Sequence, residues 1–547
     1  MLEWLKEYWR ITVRTKPLAE VDAEQWLFAI PLRGGRFFVL RSLRFHRVYI
    51  AIASCLAQFC CALLYAMAAT GPPVTKHFFP DTASAPVKFY FIGMIAYCVT
   101  AAFLGPALER NGPRWSMTIG SLFTWAGCVI LQVAISTNVF FLMYIGVLLT
   151  GIGLGCVLVT SMATPQKWAP DWRGTMSGVS VLGFGLGQVG WTSYFQFIQH
   201  NFSFDYLYWL VLAVVVPALT ISTLILRTPP PSFVVNGIDM HAIPANRALL
   251  NGADEYLKVG MTLLNYNVIE QTSQLDGTAR QYHEQVKALT LLQCIASTDF
   301  FSLCVAFVGV SVLNLPFLVL QKPGDAGVQS IKNTYNVTQV EANNLIIVGA
   351  VVGFAGRLVI PILSDVIIRV FYTNPAFGRK IVFTTVLLVE AVSLPVLSLD
   401  TFESFQSLIY VSRVCSGAGG SLIACFLTDM YGVYNTGTMY GLTWTIWAVV
   451  LLGVSPLMTN GVSNYQIHIF WILSLVGLLC MVFVRTNSAD RFYQGYQLSF
   501  CQKVVVQVPF GQNQRKADEP LQLSPVRGSF FIYDTDSDRG VHKVSVA

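Results

Sequence analysis

The sequence predicts an all-α integral membrane protein with about twelve transmembrane helices arranged as two six-helix bundles. Hydrophobic residues make up 54% of the 547 residues and charged residues 12%, about half of the charged share that is usual in a soluble domain. The apolar residues lie in separate runs of about 20, the length that a helix needs to cross a bilayer. One long polar stretch, residues 227–287, separates the runs into two sets of six. Alternating apolar and polar runs, as in an outer-membrane barrel, are absent.

Each predicted span is an apolar run that ends at polar or charged residues, and its ends are placed to within a few residues. The opening segment lacks the apolar core of a signal peptide. Its Trp4, Tyr8 and Trp9 suit an interfacial helix, and an ordinary cytosolic tail is the alternative. In chain order the spans cover residues 48–69, 88–108, 116–135, 139–163, 175–197, 206–226, 297–320, 344–368, 381–399, 405–427, 438–458 and 466–484.

The spans divide the chain into five segments. The linker begins with Pro229-Pro230-Pro231, which stops a helix, and the tail is polar with a short β-like run at residues 504–506. Two bundles joined by a long linker are typical of transporters built from two parallel halves. The segments are an N-terminal segment 1–47, a first bundle 48–226, a cytoplasmic linker 227–287, a second bundle 288–484 and a C-terminal tail 485–547.

Basic residues predict the orientation in the membrane. With the N-terminus in the cytoplasm, the short inner segments hold fourteen Lys and Arg residues and the outer segments hold four. This bias predicts that both termini are cytoplasmic, most simply at the plasma membrane, and it explains the net charge of +6 without a nucleic-acid partner. The two N-x-[ST] sequons, at Asn201 and Asn336, fall in predicted outer loops and are glycosylation candidates. The inner residues are Arg33, Arg36, Arg41, Arg44, Arg47, Arg110, Arg114, Lys167, Arg173, Arg369, Arg379, Lys380, Arg485 and Arg491, and the outer ones are Lys76, Lys88, Lys322 and Lys332.

The sequence indicates neither an enzyme nor a metal or cofactor site. The twelve cysteines are scattered, without a C-x-x-C pair or a cysteine–histidine ligand spacing, as expected of small buried side chains. No nucleophile–base pair or phosphate loop is present. Gly151, Gly153 and Gly155 lie inside a span rather than after a strand, where they permit close helix contact.

A loop pattern recurs at the same place in each half. Gly105-Pro-Ala-Leu-Glu109-Arg110-Asn-Gly112-Pro-Arg114 follows span two, and Leu363-Ser364-Asp365-Val-Ile-Ile-Arg369 ends span eight, shortly before Gly378-Arg379-Lys380. In both copies an acid at a helix end precedes an arginine, a glycine and further basic residues. Because a carboxylate accepts from helix N-terminal amides or from arginine, we expect these loops to lock the inner ends of neighbouring helices.

The segment from Gly105 to Arg114 resembles the loop signature of the major facilitator superfamily, G-x-x-x-[DE]-R-x-G-x-R. Lys167-Trp-Ala-Pro-Asp-Trp-Arg-Gly174, followed by Gly183-Phe-Gly-Leu-Gly187, resembles a pattern of the oxalate/formate antiporter-like branch, as do residues 429–441. Monocarboxylate and nodulin-like transporters are nearby branches. The resemblance covers all twelve spans, and it implies alternating access between two bundles around a solute bound at the midplane of the lipid bilayer.

Arg357 is the main candidate for binding the solute. It is a lone arginine in the apolar run 345–363, where a guanidinium must face a protein interior or a cavity and find an anion. Gly353 and Gly356 leave room beside it. In the family, an arginine on span eight contacts the substrate carboxylate, and the stretch from Gly356 to Asp365 matches that position. A structural ion pair is the alternative interpretation.

Three departures from the family pattern bear on the solute. Pro361 stands where small residues are usual. The oxalate exchangers carry a lysine on span eleven, whereas residues 438–458 contain no Lys or Arg. Monocarboxylate carriers place an aspartate one turn before the arginine, where this chain has Gly353, so the proton carrier is unassigned. Because one cation does not readily neutralise two charges at low dielectric, the missing lysine favours a singly charged carboxylate.

Three further charged residues lie in or near the predicted spans. Arg413 on span ten is expected nearer the outer face, either paired with Glu390 on span nine or acting as a second substrate cation or gate. Glu390 is a proton-coupling candidate if it is buried without a partner. Asp299, at the inner start of span seven, is a second such candidate, and a first-turn or capping acid is the simpler interpretation. Aromatic side chains predicted to line the path are Tyr65, Tyr97, Tyr144, Trp191, Tyr410, Tyr440 and Trp444, with lipid contact or packing as the alternative.

The leading hypothesis is a secondary transporter of a small organic anion, a monocarboxylate such as pyruvate or lactate, working by proton symport or by exchange. One alternative is a transporter of a larger solute, such as an amino acid, a drug or a haem-like anion. A second alternative is a nutrient sensor with a transporter fold, in which the linker and the tail would signal.

Overall fold

The computed structural model describes residues 7–32, 36–80, 90–230, 233–242, 282–283, 285–311, 331–332, 335–396, 400–454, 464–493, 495–500 and 503–509. Residues 1–488 form one compact unit and residues 489–547 a second. Several predicted features lie outside the described residues, namely Trp4, Arg33, Lys88, Lys322, the middle of the linker (243–281), the end of span seven (312–320) and the end of the tail (510–547).

The first half of the larger unit begins with a short helix and a hairpin and continues with long helices. The strands β1 (Trp26–Pro31) and β2 (Phe37–Arg44) pair antiparallel, with Phe28 opposite Leu40. The helices are α1 (Leu18–Ala23), α2 (Val48–Cys61), α3 (Leu63–Ala66), α4 (Gly71–Phe78), α5 (Tyr90–Asn111), α6 (Pro113–Thr137), α7 (Phe140–Trp168), α8 (Arg173–Asn201) and α9 (Leu207–Ile225).

The second half follows a two-stranded pairing of β3 (Val234–Val235) with β4 (Ile238–Asp239). Its helices are α10 (Leu291–Ile295), α11 (Thr298–Ser311), α12 (Gln339–Val370), α13 (Pro375–Ser393), α14 (Phe402–Tyr431), α15 (Thr436–Val454) and α16 (Asn464–Phe483).

A helix lies on each of the twelve stretches that the sequence predicts to cross the membrane. The predicted all-α membrane fold is confirmed. In the described part of the chain, seven segments are long and apolar enough to cross a bilayer, while α11 and residues 467–483 of α16 are shorter apolar helices. Glycine and polar residues make α8 less apolar than its neighbours, although it is 29 residues long. The seven segments are Val48–Ala66, Tyr90–Asn111, Pro113–Thr137, Phe140–Trp168, Phe204–Ile225, Gln339–Val370 and Phe402–Tyr431.

Local sequence signals begin several of these helices. α12 starts with a capping box, in which Thr338 Oγ1 accepts from Glu341 N at 3.3 Å and Glu341 Oε2 accepts from Thr338 N at 2.8 Å. This cap explains why the helix begins five residues before the predicted start of span eight. α6 starts with Pro113 after Gly112, whose φ of +87° is readily adopted only by glycine.

The two halves meet along two helix pairs. α8 packs on α12, and α5 packs on α15. Within the halves, α2 packs on α8, α6 on α7, α12 on α14 and α11 on α16. The first interface matters for function because α8 and α12 carry the candidate site.

The N-terminal segment is a folded cover on one end of the first bundle, a feature that the sequence did not predict. Arg227, just after α9, holds it: Nη1 donates to Glu24 O at 2.9 Å and Trp26 O at 3.0 Å, and Nη2 donates to Leu27 O at 2.5 Å. The Arg227 guanidinium also lies 4.2 Å from the centre of the Phe45 ring. We call this end, where α5 ends and α6 begins, the basic end; it is the end predicted to be cytoplasmic.

The smaller unit contains the antiparallel strands β5 (Gly495–Phe500) and β6 (Lys503–Pro509), and β6 includes the β-like run at residues 504–506. Asp490, on the short helix α17 (Ser488–Arg491), accepts from Ser499 N at 3.0 Å and from Ser499 Oγ at 2.6 Å.

Candidate functional site

Arg357 lies on α12, is only 4% exposed, and points across the interface between the two bundles. Its Nη2 donates to Gln188 Oε1 on α8 at 3.4 Å. Its Nη1 and the Gln188 Nε2 are buried and have no hydrogen-bond partner among the described residues. A buried donor without an acceptor costs about 1–3 kcal/mol, and more for a charged group, so this arrangement is suited to an additional acceptor.

Glycines on two neighbouring helices make room for the Arg357 side chain. A Cβ added at Gly185 on α8 would lie 2.8 Å from Arg357 Nη1, and one at Gly417 on α14 would lie 3.1 Å from Arg357 Cγ. Any larger residue at position 185 would therefore collide with the guanidinium. The sequence marks Gly185 only as a member of the pattern from Gly183 to Gly187, and the structure shows that it faces the predicted substrate cation.

Arg413 lies beside Arg357. It is on α14 and only 1% exposed. A Cβ added at Gly353 would lie 3.1 Å from Arg413 Nε and 3.3 Å from Arg357 Nη1, so both guanidinium groups approach the same glycine. The two arginines are therefore neighbours in space, which the sequence did not predict. Two neighbouring buried cations repel each other at low dielectric, and an anion between them would relieve that repulsion.

Glu390 on α13 does not form the expected ion pair with Arg413. Its Oε2 accepts from Ser474 Oγ on α16 at 3.3 Å, and its Oε1 is buried without a hydrogen-bond partner in the described part of the chain. Glu390 is fully buried, and a carboxylate in such a place with an unsatisfied oxygen is costly.

Aromatic side chains from both bundles cluster next to the arginines. The ring of Tyr65 lies 6.5 Å from Tyr97 and 5.2 Å from Phe184, and Phe184 lies 6.4 Å from Trp444. Phe184 directly precedes Gly185, so this aromatic cluster adjoins Arg357. The hydroxyls of Tyr65 and Tyr97 are buried without a hydrogen-bond partner in the described structure. This region also includes four residues that were not predicted from the sequence, namely Phe184, Gln188, Phe307 and Trp447.

Two predicted aromatic residues lie in other surroundings. Tyr144 packs on Phe140 at a ring distance of 5.2 Å. Tyr410 accepts from Gln406 Nε2 at 2.8 Å and packs against the apolar cluster that contains Leu345 and Ile409. Their contacts account for them as packing residues.

The loop from Gly105 to Arg114 is tied to its own bundle and to the N-terminal cover. Glu109 and Lys167 form a buried ion pair at 2.6 Å. Arg110 Nη2 donates to the carbonyls of Glu7 at 2.8 Å and Tyr8 at 2.6 Å, and Arg114 Nη1 lies 3.4 Å from Glu24 Oε1. A Cβ at Gly105 would lie 2.6 Å from Thr438 N, so this glycine permits the close approach of α5 and α15.

The second copy of the loop connects the two bundles. Asp365 accepts from the first amides of α8, Gly174 N at 3.0 Å and Thr175 N at 2.7 Å, and from Arg379 Nη2 at 2.5 Å. Arg173, at the start of α8, pairs with Asp429 at the end of α14 at 2.6 Å.

Arg369 adds a further bond across the interface, donating to Asp171 O at 2.7 Å. Together these bonds fasten the two bundles at the basic end. The repeated acid–arginine pattern was the signal for Asp365, whereas Asp429 and Asp171 lie in stretches noted only for a family resemblance and were not predicted to bond across the interface.

The remaining candidates have local explanations. Asp299, in the first turn of α11, forms a two-point ion pair with Arg485, at 3.1 Å from Nε and 2.8 Å from Nη2. The pair accounts for this carboxylate as a structural group. Asn201 and Asn336 are exposed, at the end of α8 and two residues before the capping box of α12.

Comparison with known proteins agrees with the fold. A family model described as the Major Facilitator Superfamily matches residues 50–371. The oxalate:formate antiporter of Oxalobacter formigenes is 32% identical over 83 residues, which is 15% of this chain and 19% of that protein. The match thus spans about a fifth of that relative's length.

Solved structures of the same architecture resemble the chain at low identity. A proton:xylose symporter bound to 6-bromo-6-deoxy-D-glucose has a TM-score of 0.52 at 13% identity, over 80% of this chain and 94% of that one. A bacterial homologue of the iron transporter ferroportin in the outward-facing state has a TM-score of 0.54 at 13% identity, over 80% and 98%. At such identities the likeness shows the fold alone.

Proposed function

This chain belongs to the major facilitator superfamily of transporters, and from that membership we propose that it carries a small organic anion whose carboxylate binds Arg357. The family and fold are those of membrane transporters and not of enzymes. The proposal also includes the solute, the coupling ion, the cytoplasmic position of the basic end, and the plasma membrane as the location of the protein.

The position of Arg357 carries this proposal. An arginine that is always protonated, buried between two bundles and left with an open Nη1, is suited to a carboxylate that arrives and leaves. The planar guanidinium matches both oxygens of a carboxylate, which a point charge does not. The aromatic cluster beside it, with the buried hydroxyls of Tyr65 and Tyr97, would enclose a small solute.

The charge of the solute depends on Arg413. The sequence favoured a monocarboxylate, such as pyruvate or lactate, because it offered one firm cation. With Arg357 and Arg413 beside the same Gly353, a small dicarboxylate is a second candidate, since two cations neutralise two charges. The relative that is 32% identical over 83 residues is named for both oxalate, a dianion, and formate, a monoanion, which supports the anion class without choosing between them.

The bonds at the basic end support alternating access. Asp365, Asp429 and Asp171 hold the two bundles together there, so the solute would enter from the opposite end in this conformation. Release on the other side would require these bonds to break. The exchange or symport cycle would then reform them.

Uptake by the purified wild-type protein tests the proposed function. Proteoliposomes would be given labelled pyruvate, lactate and oxalate, each with and without an unlabelled anion inside. We expect the protein to take up at least one of these anions, and we expect that uptake to be saturable and inhibited by the other anions. Wild-type protein that takes up none of them would favour the larger solute or the sensor.

Replacement of Arg413 by glutamine is expected to lower oxalate uptake about tenfold more than pyruvate uptake. The variant removes one of two cations, and a dianion loses a charge-assisted bond of about 1.5–3 kcal/mol that a monoanion does not need. The measurement is the ratio of initial rates for the two labelled anions. Equal loss for both anions would assign Arg413 to structure or gating instead.

Replacement of Glu390 by glutamine is expected to abolish any stimulation of uptake by an inward proton gradient, with uptake at equal pH retained. Glutamine has the size of the neutral acid but carries no exchangeable charge. The matched control is Glu403→Gln, since Glu403 is an exposed acid on α14. Stimulation that persists in Glu390→Gln would exclude this proton role, and a wild type without stimulation would indicate exchange.

A further inference from the structure

A charged cavity lies at the basic end, separate from the arginines on α12 and α14. It is bounded by the N-terminal segment, by the loop from Glu109 to Arg114 and by the start of the linker at Arg227. Its lining includes five basic and three acidic side chains among the described residues, and apolar contacts from Val13 and Met240. The basic side chains therefore exceed the acidic ones by two.

The excess of positive charge is concentrated around Glu24. Its Oε2 lies 2.5 Å from Lys16 Nζ, and its Oε1 lies 3.4 Å from Arg114 Nη1, so one carboxylate serves two cations. The cavity's other acids are already used, since Glu109 pairs with Lys167 at 2.6 Å and Glu20 with Arg14 at 2.8 Å.

Arg227 is the fifth cation of the cavity, and no carboxylate in the described part of the chain accepts a hydrogen bond from it. Its guanidinium donates to four backbone carbonyls, those of Glu24, Trp26, Leu27 and Ile225. Burial lowers its pKa to about 10, so it is still charged at neutral pH. Burial also lowers the pKa of Lys16, which a nearby anion would offset. This part of the cavity therefore holds three cations and one acid.

Among the described residues, Arg114 has two donors without an acceptor at the same place. Its Nε and Nη2 are buried and have no hydrogen-bond partner within the described residues, although the side chain as a whole is 17% exposed. These adjacent nitrogens form the fork that binds two oxygens of one tetrahedral anion. Arg114 is the second residue of α6, and the helix N-terminus adds partial positive charge beside it.

We propose that this cavity binds a phosphate group, held by Arg114 with Lys16 nearby and Arg227 behind it. A phosphate monoester carries nearly two negative charges at neutral pH, which equals the excess of cations. It comes either from a soluble phosphate compound or from a lipid headgroup, since the ends of the spans lie near the bilayer surface. Binding would fasten the N-terminal segment to the loop and to the start of the linker.

The test uses the full chain in nanodiscs of phosphatidylcholine. One arm measures binding of inorganic phosphate against chloride at equal ionic strength by calorimetry. The other arm adds phosphatidic acid to the nanodiscs and measures by native mass spectrometry how much of it the protein retains. Binding in the first arm supports a soluble source, and retention in the second supports a lipid source.

Arg114→Gln is expected to weaken binding at least tenfold, since the loss of a charge-assisted pair of bonds has about that effect. Arg114→Lys keeps the charge without the fork, so it is expected to weaken phosphate binding less than Arg114→Gln does. The lysine variant also tests the proposal if the glutamine variant does not fold. The matched control is Arg41→Gln, an exposed arginine on β2 outside the cavity, which should bind as the wild type does. The proposal is overturned if the wild type binds neither phosphate nor phosphatidic acid, or if both Arg114 variants bind as tightly as the wild type.

Discussion

Uptake of labelled carboxylate into proteoliposomes is expected to fall roughly tenfold to a hundredfold when Arg357 is replaced by lysine. Lysine preserves the charge, but an ammonium does not reproduce the two parallel bonds of a guanidinium to a carboxylate. Loss of one bond to a charged group costs about 1.5–3 kcal/mol, and about 1.4 kcal/mol corresponds to a factor of ten. The effect should lie in transport and leave folding intact, because the Arg357 Nη1 has no hydrogen-bond partner to lose among the described residues.

The control for this variant is Arg41→Lys, an exchange of the same kind at an exposed position on β2. Both variants should show the thermal midpoint of the wild type. Unchanged uptake by Arg357→Lys would refute the substrate role of this arginine and leave the structural interpretation. A lowered midpoint in that variant alone would indicate that Arg357 stabilises the interface between α8 and α12.

Replacing Asp365 by asparagine is expected to destabilise the closed basic end by about 2–3 kcal/mol, because it removes one of the two carboxylates that pair with the buried Arg379, the other being Asp429. The variant also weakens the acceptor for the amides of Gly174 and Thr175, at the first turn of α8. Hydrogen exchange followed by mass spectrometry should show faster exchange in the peptide that covers residues 173–178. The thermal midpoint should fall at the same time.

Glu403→Gln is the matched control for this second variant. Glu403 is an exposed acid in the first turn of α14, so replacing it by glutamine should leave both the hydrogen-exchange rate and the thermal midpoint unchanged. Protection at residues 173–178 equal to that of the wild type would contradict the proposed closure by Asp365. Faster exchange throughout the chain would indicate general unfolding rather than opening of the basic end.

The sequence predicted the helices well because the length and apolarity of each run reflect the thickness of the bilayer. It also singled out Arg357, since a charge in an apolar run is costly and therefore conspicuous. It did not predict that Arg413 lies beside Arg357. Position along a helix gives depth, whereas the neighbour of a side chain also depends on helix rotation and tilt, which packing decides.

Residues without an unusual type or spacing were missed for a related reason. Phe184 and Gln188 are ordinary members of an apolar, glycine-rich helix, and only the approach of α12 gives them a role. The hairpin β1–β2 was missed because its basic residues were interpreted only as evidence of orientation. Arg227, which holds that hairpin through backbone carbonyls, belongs to no motif at all.

The two copies of the loop differ in what their acids bind, and we infer from this difference which bonds at the basic end a separation of the bundles would break. Glu109 bonds to Lys167 on α7, a helix of its own bundle, so its bond survives when the bundles separate. Asp365 bonds to the first amides of α8 in the other bundle, and those bonds break on opening. A separation of the bundles at the basic end would therefore break the bonds from Asp365 to α8 and leave the Glu109–Lys167 pair intact.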